Sequence, residues 1–412
     1  MLVSGHLLLD DPAAGLRLRP GQILVEAGRI ARISLDRPIG TPDLGGDDRL
    51  ISPGFIDAHL HLPQFDCIGI DGLTLLDWLN SAVFPAEARW ADPDHAAQRA
   101  LNAGRRLLGA GTTGIAAYAT VHHEGTAAAM RAVASLGLRG VVGQVLMDQQ
   151  APAELLRPPA RLLEEAAACV PVGRIQPAVT PRFAVSCSEA LLRGAGELAR
   201  RTGWLVQTHL SETLDECRLV ARLHPAASSY TDVYARSGLL TTRTVLGHGI
   251  HLSPVGVAAL AAAGSIIAHC PTANLFLQAG SMDRAAHLRT GLGVALGSDV
   301  AGGPDVCMLR VARAMIETAK SRRLLDGVTP VPTPAQAWRQ ITAGNADALG
   351  WADAGRIAHG AAADLVILRA PQSLPLGTAQ ARWWDAPDPL SAVLYGFDER
   401  WIERVIVDGR QA

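Results

Sequence analysis

Side chains able to bind a metal close at least four separate apolar runs of this 412-residue chain, and that placement limits the fold more than composition does. His59 and His61 end the run LISPGFIDAHLHL, His209 ends WLVQTHL, His248 lies in LGHG, and Asp299 follows LGVALGS. Helix signals stand between the runs. Asp92-Pro93 reads as an N-cap with proline at the first helical position of DHAAQRALNAGRRLLG, which Gly109 and Gly111 stop before the strand TTGIAAYAT. Ser186 and Glu189 form a capping box for a helix through Arg201, after which Gly203 releases WLVQTHL. Ser253-Pro254 starts a helix that Gly264 ends, SIIAHCP is the next strand, and RAAHLRTG leads into LGVALGSD.

Repeated βα units with nearly continuous apolar strands predict a parallel sheet covered by helices. Ligands drawn from so many strands meet only if the strands close around an axis, because an open sheet spreads its strand ends apart. The predicted fold is therefore α/β, a (β/α)8 barrel with its site at the C-terminal mouth. The two ends of the chain differ: SGHLLLD, GQILVEAGRIARISL, ADLVILRA and WIERVIVDGRQA alternate like antiparallel strands and are rich in turns. They predict a small β-sandwich composed of residues 1–52 and 357–412, with the barrel over 53–356. Residues 371–390, PQSLPLGTAQARWWDAPDPL, form a proline-rich excursion to which no role is assigned.

Composition narrows the class of partner. A formal net charge of -2 and a pI near 6.7 supply no basic field to draw the chain to phosphate backbones, so neither nucleic acid nor an anionic membrane is expected. The longest apolar stretch, residues 255–268, is too short to cross a bilayer and is broken by Gly264. The N-terminus lacks a basic leader and reads as a strand, so a cytoplasmic enzyme is expected. The six cysteines are scattered with no C-x-x-C pair, which predicts buried free thiols.

The chemistry follows from residue type and spacing. His59 and His61, one residue apart on an extended strand, point to the same face and can converge on one ion. With His209 and Asp299 they offer three nitrogens and one oxygen, a set zinc favours, with a position left for water. Water on such an ion ionises near neutral pH. Glu212, three residues past His209 in HLSE, can reach over the metal and shuttle a proton, while His248 can stabilise the charge that develops on the attacking oxygen. In TPRF, Arg182 and Phe183 can hydrogen-bond to and stack on a planar heterocycle, or form a salt bridge over a core phenylalanine. His269 suits a packing or supporting role. His122 and His123 fit either the mouth or a solvated loop, and His6, His95, His224, His251 and His287 are expected on the surface.

These residues resemble the metal-dependent amidohydrolase superfamily and, within it, the guanine deaminase family, over nearly the whole chain. PGFIDAHLHLPQF is similar to the family's first-strand motif and LLDWLNSAVFPAEARW to the segment after it; VTPRFAVSCSEAL, THLSETLDE, GHGIHLS, IAHCPTANL and LGSDVAGG continue in order. The resemblance implies that His59, His61, His209 and Asp299 bind one zinc ion, that Glu212 shuttles the proton, and that His248 and Asp299 orient the attacking oxygen. It also implies that Gln64 and Arg182 address the polar edge of guanine while Phe183 packs on it, that xanthine and ammonia are the products, and that the enzyme is a homodimer. Binuclear members bridge two metals with a carboxylated lysine on a middle strand; the sole lysine here, Lys320, lies beyond Asp299, so one metal is expected. Leu62-Pro63 and the stretch LFLQAG after Asn274 depart from the family pattern towards apolar character, which implies a reshaped pocket. A deaminase or chlorohydrolase acting on 8-oxoguanine, a pterin or a triazine would keep the metal set without needing Gln64 and Arg182 together. An inactive scaffold would have lost a ligand or the shuttle, and all are present.

Overall fold

The computed structural model describes residues 1–11, 15–35, 37–371 and 382–412, and it gathers the apolar runs into one eight-stranded parallel sheet. Its strands are β1 (Phe55–His61), β2 (Thr112–Tyr118), β3 (Arg139–Leu146), β4 (Ile175–Pro181), β5 (Leu205–Leu210), β6 (Thr244–His248), β7 (Ile266–His269) and β8 (Gly293–Leu296). Neighbours in sequence are neighbours in the sheet. Helices cross between successive strands, as parallel pairing requires. The two ends of the sheet meet: the His61 N–H donates to the Val300 carbonyl at 3.0 Å, and the Asp299 N–H to that of His59 at 2.8 Å. The result is the (β/α)8 barrel that the strand-end ligands demanded. Every residue of β1, β2, β5 and β6 is buried, which is why these strands read as unbroken apolar runs rather than as alternating ones.

Local signals set most helix ends. Asp92 Oδ1 accepts the Asp94 N–H at 2.9 Å ahead of the helix Pro93–Gly109. Ser253 caps Pro254–Ala263, which Gly264 ends in the left-handed region at φ 69°. One expected cap is corrected. The helix Glu189–Thr202 is capped by Ser188, whose hydroxyl accepts the Leu191 N–H at 3.2 Å, whereas the Ser186 hydroxyl turns back to the Phe183 carbonyl. Ser188 is the last extended residue before the helix, so only its side chain reaches the first free N–H groups.

The other sheet has seven strands drawn from both termini. They run Arg410–Gln411, Ile402–Val407, Leu365–Leu368, Leu44–Pro53, Leu2–Asp11, Gly15–Glu26 and Arg29–Ser34 across the sheet. One pair departs from the antiparallel expectation: Leu2–Asp11 and Leu44–Pro53 are parallel, because the two intervening strands carry the chain out to one edge and back. The sheet curls over its own core. The Ile30 N–H donates to the Ala361 carbonyl at 2.9 Å, tying the edge strand to the segment that leads into Leu365–Leu368. The enclosed face carries Val3, Leu7, Ile23, Ile51, Leu365, Ile367 and Ile406, each worth about 1.5–3 kcal/mol when fully buried.

The chain divides into two compact units, residues 1–57 with 105–114 and 306–412, and residues 58–104 with 115–305. All nine predicted site residues belong to the second. In the first, Lys320 lies on the helix Met308–Asp326 and donates to the Tyr395 hydroxyl at 3.1 Å. Of the proline-rich excursion, 372–381 lie outside the described residues; Trp383, just after them, is fully buried and meets the His6 ring edge-on at 5.4 Å. All six cysteines are free thiols and five are buried, with burial pushing Cys187 and Cys307 up to about 12. Among the described residues no helix is long and apolar enough to cross a membrane.

Candidate active site

The barrel strands deliver the predicted ligands to one point. His59 and His61 share the inward face at the end of β1, His209 is the penultimate residue of β5, and Asp299 stands three residues past β8. Glycine clears the space around them. A Cβ on Gly247 would meet the His59 ring at 2.8 Å and one on Gly297 the His59 Cβ at 2.6 Å, so β6 and the end of β8 approach this imidazole only without side chains. His248 and Asp299 hold φ of 69° and 51°, a left-handed conformation that costs a non-glycine residue of the order of 1 kcal/mol or more and gathers at functional sites.

His59, His61, His209 and Asp299 each offer a ligand atom within 4.8 Å of the others. Asp299 Oδ1 lies 3.3 Å from His59 Nε2 and 3.5 Å from His61 Nε2, and the Nε2 atoms of His61 and His209 are 3.0 Å apart. Tautomers are set from behind. His209 Nδ1 contacts the Arg182 carbonyl at 2.5 Å; a carbonyl only accepts, so Nδ1 carries the proton and Nε2 presents a lone pair. His248 Nδ1 likewise faces the Asn274 side-chain oxygen at 2.9 Å, which aims Nε2 at Glu212 (3.4 Å) and Asp299 (3.9 Å).

Burial, reinforced by the neighbouring rings, pushes the imidazoles of His59, His61 and His209 well below their ordinary pKa, so they are neutral donors. Burial also raises the carboxyls of Asp299 and Glu212, a field that a divalent cation would compensate. Three neutral nitrogens beside a buried carboxylate fit such an ion. A stability effect follows. Burial lowers His122 to about 4 and His269 to about 3 as well. Above pH 6.5 these groups are neutral in both folded and unfolded chains; below it the unfolded chain takes up protons that the folded chain does not, so each group lowers stability as the pH falls, the half-buried His122 least because solvent screens it. The raised carboxyls of Asp299, Glu212 and Glu216 act in the opposite sense but are outnumbered by the lowered imidazoles, so the metal-free protein is expected to melt at lower temperature at pH 5 than at pH 6.5, and a flat calorimetric profile would contradict this assignment.

A pocket open to solvent lies beside the ligands, lined by His61, Gln64, Leu75, Trp78, Leu79, Arg182, Phe183, His209, Glu212, His248, Leu277 and Asp299. Gln64 sits in the 3-10 turn Leu62–Cys67, where Pro63 occupies the first turn, and its Oε1 accepts the Ala301 N–H at 3.3 Å. Glu212 is held by a true capping box. Glu216 caps the helix Leu214–Leu223 with Thr213, and its Oε2 also accepts the Glu212 N–H at 2.7 Å. Glu212 Oε1 is buried with no hydrogen-bond partner among the described residues. In TPRF, Arg182 forms a buried salt bridge to Glu87 at 2.6 Å, the ring beneath its guanidinium is Phe84 rather than Phe183, and both Arg182 and Phe183 line the cavity.

Residues 50–412 match the Amidohydrolase family. The chain belongs to the amidohydrolase family. This amidohydrolase is 32% identical over 374 residues to the guanine deaminase of Rattus norvegicus, covering 87% of this chain and 82% of the rat protein. It is 31% identical over 424 residues to the guanine deaminase of Escherichia coli (strain K12), covering 98% and 94%. Among solved structures it superimposes on guanine deaminase from C. acetobutylicum, with bound guanine in the active site, at a TM-score of 0.92 and 28% identity, covering 100% and 99% of the two chains.

Sequence reasoning assigned no part in this amidohydrolase site to Tyr118, Glu87 or Asn274. The Tyr118 ring, at the end of β2, lies 4.5 Å from that of His61, 5.0 Å from His59 and 4.9 Å from His209, forming a wall behind three imidazoles. Its position at a strand end was the available signal. Thr213 and Glu216, spaced as a capping box, were the signal for how Glu212 is fixed. Of the apolar departures, Leu277 lines the cavity; Leu62 and Pro63 do not. His224 and His287, expected on the surface, are buried and bond through Nε2 to the carbonyls of Ala184 (2.8 Å) and Gly249 (3.0 Å). Neither His122 nor His123 lines the cavity: their Nδ1 atoms contact Arg157 and Gln144.

Proposed function

We propose that this amidohydrolase hydrolyses guanine to xanthine and ammonia with one zinc ion per chain. The observation that carries the reading is the shared cavity: three of the four candidate ligands (His61, His209 and Asp299), the buried Glu212 carboxylate and the trio Gln64, Arg182 and Phe183 all open onto the same volume, with His59 grouped behind them. The relatedness to guanine deaminases along most of the chain supports it. His59, His61, His209 and Asp299 would hold the zinc, which when bound supplies Lewis-acid chemistry and acidifies water at the site. A single ion accords with the one lysine of the chain lying beyond Asp299 in sequence.

The remaining steps belong to the protein. Gln64 and Arg182 hydrogen-bond the polar edge of the base and Phe183 packs on its face, bringing the carbon that bears the exocyclic amine towards Glu212. Glu212 takes a proton from the attacking water and gives it to the adjacent ring nitrogen as the water oxygen bonds to that carbon. His248 and Asp299 orient the oxygen. Glu212 then carries the second water proton to the amine, the carbon–nitrogen bond breaks, and ammonia leaves a carbonyl behind. We further read the protein as a cytoplasmic homodimer, to be checked by light scattering at twice 43.3 kDa. The functional test is ammonia release from guanine, 8-oxoguanine, isoxanthopterin, adenine, cytosine and a melamine-type triazine. Guanine is expected to turn over fastest, and turnover of another member without guanine would overturn the substrate.

A further inference from the structure

The arginine on the cavity wall is clamped from behind by the segment FPAE. Pro85 opens the short helix Phe84–Ala88, which presents two of its side chains to Arg182. Glu87 is fully buried, and both of its carboxylate oxygens lie 2.6 Å from Arg182 Nη1. Phe84 stacks below, its ring centre 5.4 Å from the guanidinium carbon. From its main chain Arg182 also supplies the carbonyl that orients His209. One residue thus joins the metal set to the cavity wall, and Glu87 anchors it.

We infer that Glu87 is a positioning residue that fixes the guanidinium of Arg182 and cancels its charge, so that the cavity selects a neutral purine over an anionic one. The inference rests on the reading of Arg182 as the contact to guanine's polar edge. A guanidinium carries five N–H donors, and Glu87 engages only the nitrogen Nη1. Donors therefore remain for the neutral carbonyl of a base. In a buried site an uncompensated cation attracts any anion strongly, whereas a salt-bridged one presents a dipole whose field fades quickly. Guanine is neutral at pH 7. Its deamination product, with a second carbonyl in place of the amine, is a stronger acid, so a compensated arginine favours entry of substrate over retention of product.

Two substitutions separate position from charge. Glu87→Gln keeps an oxygen to receive Arg182 but removes the negative charge; Glu87→Asp keeps the charge but withdraws it by one methylene. The readouts are KM and kcat for guanine, zinc content, and competitive inhibition by hypoxanthine, which is neutral, and urate, which is an anion at neutral pH. Glu87→Gln is expected to shift the hypoxanthine-to-urate inhibition ratio at least tenfold towards urate, with zinc content unchanged. Glu87→Asp is expected to raise KM for guanine about tenfold while leaving that ratio within twofold of wild type, and it supplies the positional comparison if the glutamine variant does not fold. An unchanged ratio in a folded Glu87→Gln protein, or an unchanged KM in Glu87→Asp, overturns the inference. Failure of the wild-type enzyme to deaminate guanine would instead sink the functional reading beneath it.

Discussion

Glu212→Gln is expected to lower kcat for guanine about a thousandfold, the middle of the range for losing a positioned general acid–base, while zinc content and melting temperature stay at wild-type values. The reason lies in how the residue is held. Its main-chain N–H is fixed by the Glu216 capping carboxylate, and burial, with the Asp299 charge next, raises its carboxyl above the ordinary range, favouring the form that holds a proton. Glutamine is isosteric, so it leaves Glu216, His248 and the cavity wall in place but cannot move a proton. Ammonia release measured beside metal analysis separates the two effects. Wild-type turnover in a zinc-loaded Glu212→Gln protein would remove Glu212 from the mechanism.

Stripping the metal is expected to have the larger effect on the whole molecule. Dialysis against a chelator should abolish ammonia release and lower the melting temperature by several degrees, and stoichiometric zinc should restore both. A ligand that binds only the folded state, present at a thousand times its dissociation constant, stabilises by about 4 kcal/mol. Here the four ligands come from β1, β5 and the turn after β8, so the ion would tie together strands far apart in the sequence. The buried carboxyl of Asp299 then loses its compensating cation on stripping. Full activity in protein shown to contain less than about a tenth of an equivalent of metal would refute the metal assignment, by the same linkage between binding and folding.

Much of this site was legible because the information that specifies it is local. A histidine one residue from another on an extended strand shares its face by the geometry of the pleat, and an aspartate or histidine at the end of an apolar run is carried to the mouth of whatever sheet that run enters. Asp92, Ser253 and Gly264 set helix ends through bonds within three or four residues, so their pattern could be read directly. Ser186 misled for a related reason: two serines lie within reach of the helix start, and which one caps it depends on which residue is last in extended conformation.

What spacing could not supply was distance across the barrel. Nothing in the order of the residues brings Glu87 against Arg182, 95 positions away, or sets Tyr118 behind three imidazoles contributed by two other strands. The burial of His224 and His287 was equally hidden, because each is satisfied by a main-chain carbonyl that carries no signature in its own residue type. The parallel pairing of Leu2–Asp11 with Leu44–Pro53 was missed because alternation records which face of a strand is buried and says nothing of the direction of its neighbour. Sequence by itself determined the strands, the barrel and which side chains are candidates to hold a metal, since these follow from periodicity and side-chain chemistry. Only the tertiary structure decided which tautomer His209 and His248 present, what holds Arg182 and how the terminal sheet closes, since those are properties of contacts between residues that the chain itself keeps far apart.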